Sequence, residues 1–175
     1  MQEKKRRQAL AERYVAALLK PASADDVQWL SAAGARTEAL ARVELAYAQR
    51  AIGLIVAERD ALDDQTAADV SHALDAVVAK ESRAIASEWS EHWREYADAL
   101  AARGRAEPPL GRIARVLLRR CGVNEPGAEH LDRAVGIVTA FRHTANDALR
   151  AVYGSASLPE DRAPSAWFRE KTGHG

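Results

Sequence analysis

Residues 67–103 read AADVSHALDAVVAKESRAIASEWSEHWREYADALAAR, with no proline and no glycine anywhere in the run. Alanine, leucine, arginine and glutamate, all strong helix formers, fill most of it. Val70, Leu74, Val77 and Val78 fall at helical spacing in the first half, and Ile85, Trp89, Trp93, Tyr96 and Leu100 in the second. The alternation of a half-buried strand is absent. The run is read as helix, either one very long helix or two broken near Lys80 to Ser82.

The same periodicity extends in both directions. Upstream, Thr37 to Leu62 carries Leu40, Tyr47 and Leu54 at intervals of seven, with Leu45, Ile52 and Ile55 as a second stripe beside them. A helix with two apolar stripes packs against more than one neighbour, so this one is expected at the centre. Thr66 is expected to cap the helix that follows. Gln2 to Leu19 presents Leu10, Tyr14, Ala17 and Leu18 on one face and ends at Lys20-Pro21, because the residue before proline is pushed out of the α region. Ser23, with Asp26 three residues later, caps a short helix whose apolar face is Val27 and Leu30, and Gly34 closes it.

Downstream, Gly104 to Gly111, with Pro108-Pro109, reads as a loop. Arg112 to Arg120 is a short helix ended by Cys121-Gly122. A last long helix runs from near Pro126 to Tyr153, with Leu131, Val135, Val138, Phe141 or Arg142, Ala145, Leu149 and Val152 facing the core. The sequence therefore predicts an all-α fold, a single bundle-like domain of six or seven helices over residues 1–154. Residues 155–175, rich in Ser, Pro and charge, are expected to form a C-terminal extension.

Composition narrows the function classes. Lys+Arg and Asp+Glu balance at 25 each, without the basic excess of a typical nucleic-acid binder, so nucleic acid is not an expected partner. The lone cysteine, Cys121, cannot form an internal disulfide, which fits a reducing, cytoplasmic compartment. The charged start, Met1-Gln-Glu-Lys-Lys-Arg-Arg, is followed by no apolar signal core. No stretch approaches the ~18 uninterrupted apolar residues of a membrane span. A soluble protein without membrane contact is expected.

The motifs of catalysis are missing. A di-iron bundle needs two Glu-x-x-His pairs, and the nearest spacing is a single Asp69-x-x-His72. One cysteine and scattered histidines do not assemble a zinc site. No Gly-x-Ser-x-Gly, GxGxxG or GxxxxGK[ST] occurs. Cys121 follows a helix, at the end where the dipole raises a thiol pKa. No catalytic residue, metal or cofactor is assigned, and the reading leans away from an enzyme.

Three clusters remain as binding candidates. His92 lies among Trp89, Trp93 and Tyr96, and these four residues would line a ligand pocket, although such a histidine is more often a partly buried one with one hydrogen bond. Arg112, Arg115 and Arg119 share a helix face and would grip an anion or an acidic partner, against the plainer reading that neighbouring acids pair with them. Trp167 and Phe168 stand side by side in the polar tail, where they would either dock back on the domain or serve as a partner anchor.

Fragments of two families are visible. The segment from His92-x-x-x-Tyr96 to Leu118, with Glu125-Pro126 before His130, resembles pieces of the helical chaperones that mature molybdoenzymes, in reversed order. Ala32 to Leu62 resembles an early part of phycobiliprotein-like globin folds, without their bilin-attaching cysteine. Neither supports a family assignment. The leading expectation is a non-enzymatic protein that acts by macromolecular interaction, as adaptor, regulator or assembly factor, with a protein partner or a second copy. The alternative is a ligand-binding helical sensor. A cavity lined by the Trp/His cluster would favour the sensor, and an apolar surface groove would favour the interaction protein.

Overall fold

A computed structural model of the chain describes residues 2–34, 37–60, 64–81, 83–101 and 106–154. They form seven helices and no strand: α1 (Gln2–Leu18), α2 (Ala24–Ala33), α3 (Glu38–Asp60), α4 (Asp64–Val78), α5 (Arg83–Ala101), α6 (Pro109–Arg120) and α7 (Ala128–Tyr153). The two-stripe helix α3 is central, as expected, and packs against each of the other six. Helix α7 lies against α1, α3 and α6, and α5 against α3 and α6. A continuous core joins Tyr14 and Leu18 of α1, Leu45 and Ala48 of α3, Leu74 of α4, Leu117 of α6 and Leu149 of α7.

The break inside residues 67–103 is real. Helix α4 ends at Val78, and the amides of Lys80 and Glu81 bond to the carbonyls of Val77 and Val78, tightening the last turn. No helix breaker in the sequence marks the place. The turn is held from outside, because Arg50 of α3 forks onto Glu81 through bonds of 3.0 and 2.7 Å.

Local signals are mostly where the sequence placed them. The Ser23 hydroxyl accepts from the Asp26 amide at 3.1 Å, and Val27 and Leu30 are buried. Helix α6 ends in a Schellman arrangement: Gly122, with φ 90°, bonds to the Arg119 carbonyl, and Val123 bonds to that of Leu118. Other expectations are corrected. Leu40 is exposed, since it lies in the first turn of α3. Thr66 lies inside α4, which begins at Asp64. Helix α6 begins at Pro109, so the supposed loop ends early, because a proline with fixed φ suits a first helical turn. Helix α7 begins at Ala128, capped by Gly127.

Two glycines are required by close approach. Gly34 has φ −93°, not the left-handed cap expected of it. Its role is spatial, because a Cβ there would sit 2.1 Å from the backbone carbonyl oxygen of Cys121. Alanine at Gly34 is therefore expected to cost about 1–3 kcal/mol, read as a lower urea midpoint. Gly53 lets α1 approach α3: Leu18 fills the space a Cβ would take, and the Tyr14 hydroxyl donates to the Gly53 carbonyl at 2.7 Å. Alanine at Gly53 would run into the buried Leu18 side chain, with Cδ1, Cδ2 and Cγ all within 2.9 Å, so a loss of the same order is expected.

Candidate functional site

The aromatic residues of α5 gather against α3. Trp89, His92 and Tyr96 are buried, and Trp93 is half-buried against the core. The Trp89 ring lies 6.0 Å from Tyr47 and stacks on Trp93 at 6.1 Å. His92 sits 4.3 Å from the Tyr47 ring, and its Nδ1 is 3.2 Å from Glu44 Oε2. That contact has the distance of an ion pair without the alignment of a hydrogen bond. Among the described residues, the Tyr96 hydroxyl also finds no hydrogen-bond partner. Glu44, which the sequence reading left unremarked, is the missing member of this cluster. It falls four residues after Leu40 and three before Tyr47, on the expected apolar stripe, and a charged residue on that stripe was the available signal.

Burial changes how these phenols titrate. It holds the Tyr96 hydroxyl well above its ordinary pKa, with the Glu44 carboxylate acting in the same direction. Tyr47 is pushed up to about 12, by burial first and by Glu88 next. Tyr14 is raised by burial as well. The folded state thus holds these protons more tightly than the unfolded chain. The stability they contribute is fully present below about pH 10, and is lost as the pH rises from there through the folded-state values. In an alkaline titration followed at 295 nm, Tyr14, Tyr47 and Tyr96 should ionise late and together with unfolding. Ionisation of all of them near pH 10 in a folded protein would contradict this packing.

The arginine stripe is occupied by its neighbours. Arg112 donates to the carbonyls of Ala99 and Leu100, the last turn of α5, and to that of Glu107. It is a clamp on the end of a helix, which the sequence does not reveal. Arg115 bonds to Glu107 at 2.7 Å, and Arg119 to Glu95 at 3.2 Å. Arg120 joins Glu95 as well. Arg115 and Arg119 keep exposed surface, and the three stripe arginines share a shallow recess with Glu95, Asp98 and Glu107.

A larger cavity lies elsewhere. A cleft of about 520 Å³ opens between α3, the start of α6 and the first half of α7. Ile52, Ile55 and Val56 form one wall, Leu110 and Ile113 another, and Leu131 and Val135 the third. Pro108 and Pro109 shape one end. Arg59, Asp60, Asp132 and Arg142 bring charge of both signs to it. None of Trp89, His92, Trp93 or Tyr96 lines this cleft. Its volume falls within the range of ligand and peptide-anchor pockets.

Trp167 and Phe168 lie outside the described residues. No group of three or more potential metal ligands occurs among the described residues, and no described helix is long and apolar enough to cross a membrane. Neither the protein-family models, nor the curated proteins, nor the solved structures contain a match to this chain.

Proposed function

We propose that this chain is a non-enzymatic helical protein that works by binding another protein, as an adaptor, regulator or assembly factor, in the reducing cytoplasm that its single cysteine suits. The cleft between α3, α6 and α7 carries this reading. Its walls are aliphatic, its edge bears both signs of charge, and its form suits an aromatic or aliphatic anchor held by a polar rim. Exposed Arg115 and Arg119 would add an acidic-partner contact on the far side of α6.

The test is capture from the native cell with tagged wild type and with Leu110→Glu. Leu110 is the second residue of α6 and half-buried, and an acid so near a helix N-terminus suits the dipole. The fold should survive while the cleft acquires a charge. A partner retained by wild type and lost by the variant, at unchanged melting temperature, supports the reading. A partner set indifferent to Leu110→Glu removes the cleft from the function.

A second reading, a ligand-binding sensor built on Trp89, His92, Trp93 and Tyr96, draws on one observation. Glu44 Oε2, His92 Nδ1 and the Tyr96 hydroxyl are buried there without an aligned hydrogen-bond partner among the described residues. Isothermal titration with imidazole-sized polar ligands, against wild type and Tyr96→Phe, separates it from the first.

A further inference from the structure

The aromatic residues are unevenly used. The chain has four Trp, four Tyr and two Phe. Every described one is buried in the core or packed against it, including the half-buried Trp29, Trp93 and Tyr153. Trp167 and Phe168 are the remaining two, and their neighbours are polar or small: Ser165, Ala166, Arg169 and Glu170. Two adjacent rings in such a segment have no apolar surface of their own to cover them. The domain, meanwhile, keeps an aliphatic cleft open on α7, the helix from which this segment departs.

Length permits the two to meet. From Gly154 the α7 wall of the cleft begins about 18 Å back along the helix, at Arg142, and ends about 35 Å back, at Leu131. Residues 155–167 can span about 40 Å when extended. A tether of this length gives an effective concentration in the millimolar range, far above that of a second copy in dilute solution. Charge does not oppose the meeting, since Glu160, Asp161 and Arg162 precede the rings and Arg169, Glu170 and Lys171 follow them, while the cleft is lined by Arg59 and Arg142 and by Asp60, Glu107 and Asp132, so neither side carries one sign alone.

We propose that Trp167 and Phe168 of this chain's own 155–175 segment seat in the α3–α6–α7 cleft, so that the segment competes with the protein partner for the same apolar surface. The inference rests on the reading of the cleft as a receptor. It makes the tail an internal competitor that a partner must displace, which lowers the apparent affinity of the full chain by the occupied fraction.

Fluorine NMR of the full chain labelled with 5-fluorotryptophan tests it. Trp167→Phe identifies the Trp167 resonance among the four. The expected result is a Trp167 resonance displaced from its position in the urea-unfolded chain and unchanged on tenfold dilution. In Leu110→Glu it should return to that position, while the resonances of Trp29, Trp89 and Trp93 stay in place. If Leu110→Glu disturbs all four, Val135→Gln carries the same expectation from the opposite wall. Phe168→Ser, a change within the 155–175 segment itself, should also release Trp167. A Trp167 resonance already at the unfolded position overturns the proposal. So does displacement that fades on dilution, which would indicate a second copy, or displacement that survives both cleft variants. Partner capture by the Leu110→Glu pair is read separately, so a free tail beside a cleft-dependent partner rejects this inference and leaves the receptor reading intact.

Discussion

Replacing Trp89 with alanine is expected to cost about 3–5 kcal/mol, and the same change at Trp93 only about 1–2 kcal/mol. The periodicity of α5 makes the two residues equivalent, since both fall on its apolar stripe. The fold separates them. Trp89 is 5% exposed and wedges between Tyr47 of α3 and Trp93, so truncation opens a cavity that the flanking rings cannot fill. Trp93 stacks on the outside of Trp89 and keeps one edge in water, so its removal loses area without leaving an enclosed void. Urea unfolding of both variants, with matched m-values, measures the difference. Equal losses would mean that Trp93 is covered in solution, by a partner or a second copy. A Trp89 variant with an unchanged midpoint would contradict the packing of α5 on α3.

Periodicity accounts for the helices, the central position of α3 and most of the core, because burial of one face is written at 3.6-residue spacing. It does not account for what happens between helices. The α4–α5 break depends on Arg50 reaching Glu81 from another helix. Gly34 looked like a left-handed cap, and its use is to let the carbonyl of Cys121 come close. Pro108-Pro109 read as a loop, although Pro109 opens α6 and both prolines border the cleft. Ile55, Leu131 and Val135 each read as ordinary apolar positions, and Leu110 fell in the expected loop. Only the relative placement of three helices leaves them around an open space, and no single-helix pattern encodes that. Of the candidate residues, Trp89, His92, Trp93 and Tyr96 do come together, but away from the cleft. Arg112 proves to be a clamp on α5, a role set by carbonyls thirteen and twelve residues away.

The Glu44–His92 pair should behave as a coupled unit. Both residues are 5% exposed, and their facing atoms lie 3.2 Å apart between α3 and α5. His92→Leu removes the imidazole and leaves the Glu44 carboxyl buried without the group that faces it. Removing one member of such a pair is expected to cost about 3–5 kcal/mol. The double variant Glu44→Leu/His92→Leu should recover most of that loss, because two aliphatic side chains need no desolvated polar contact, and buried pairs replaced in this way are often neutral. The non-additivity, measured as a double-mutant cycle in urea, is expected at about 1–3 kcal/mol. Additive losses would show that the two groups stabilise the fold independently and that the short contact contributes nothing. Recovery would also bear on function. A polar pair that the core can do without, yet that occupies the junction of α3 and α5 among four aromatic rings, would be retained for something other than stability, and ligand titration of the recovered double variant would then measure what that is.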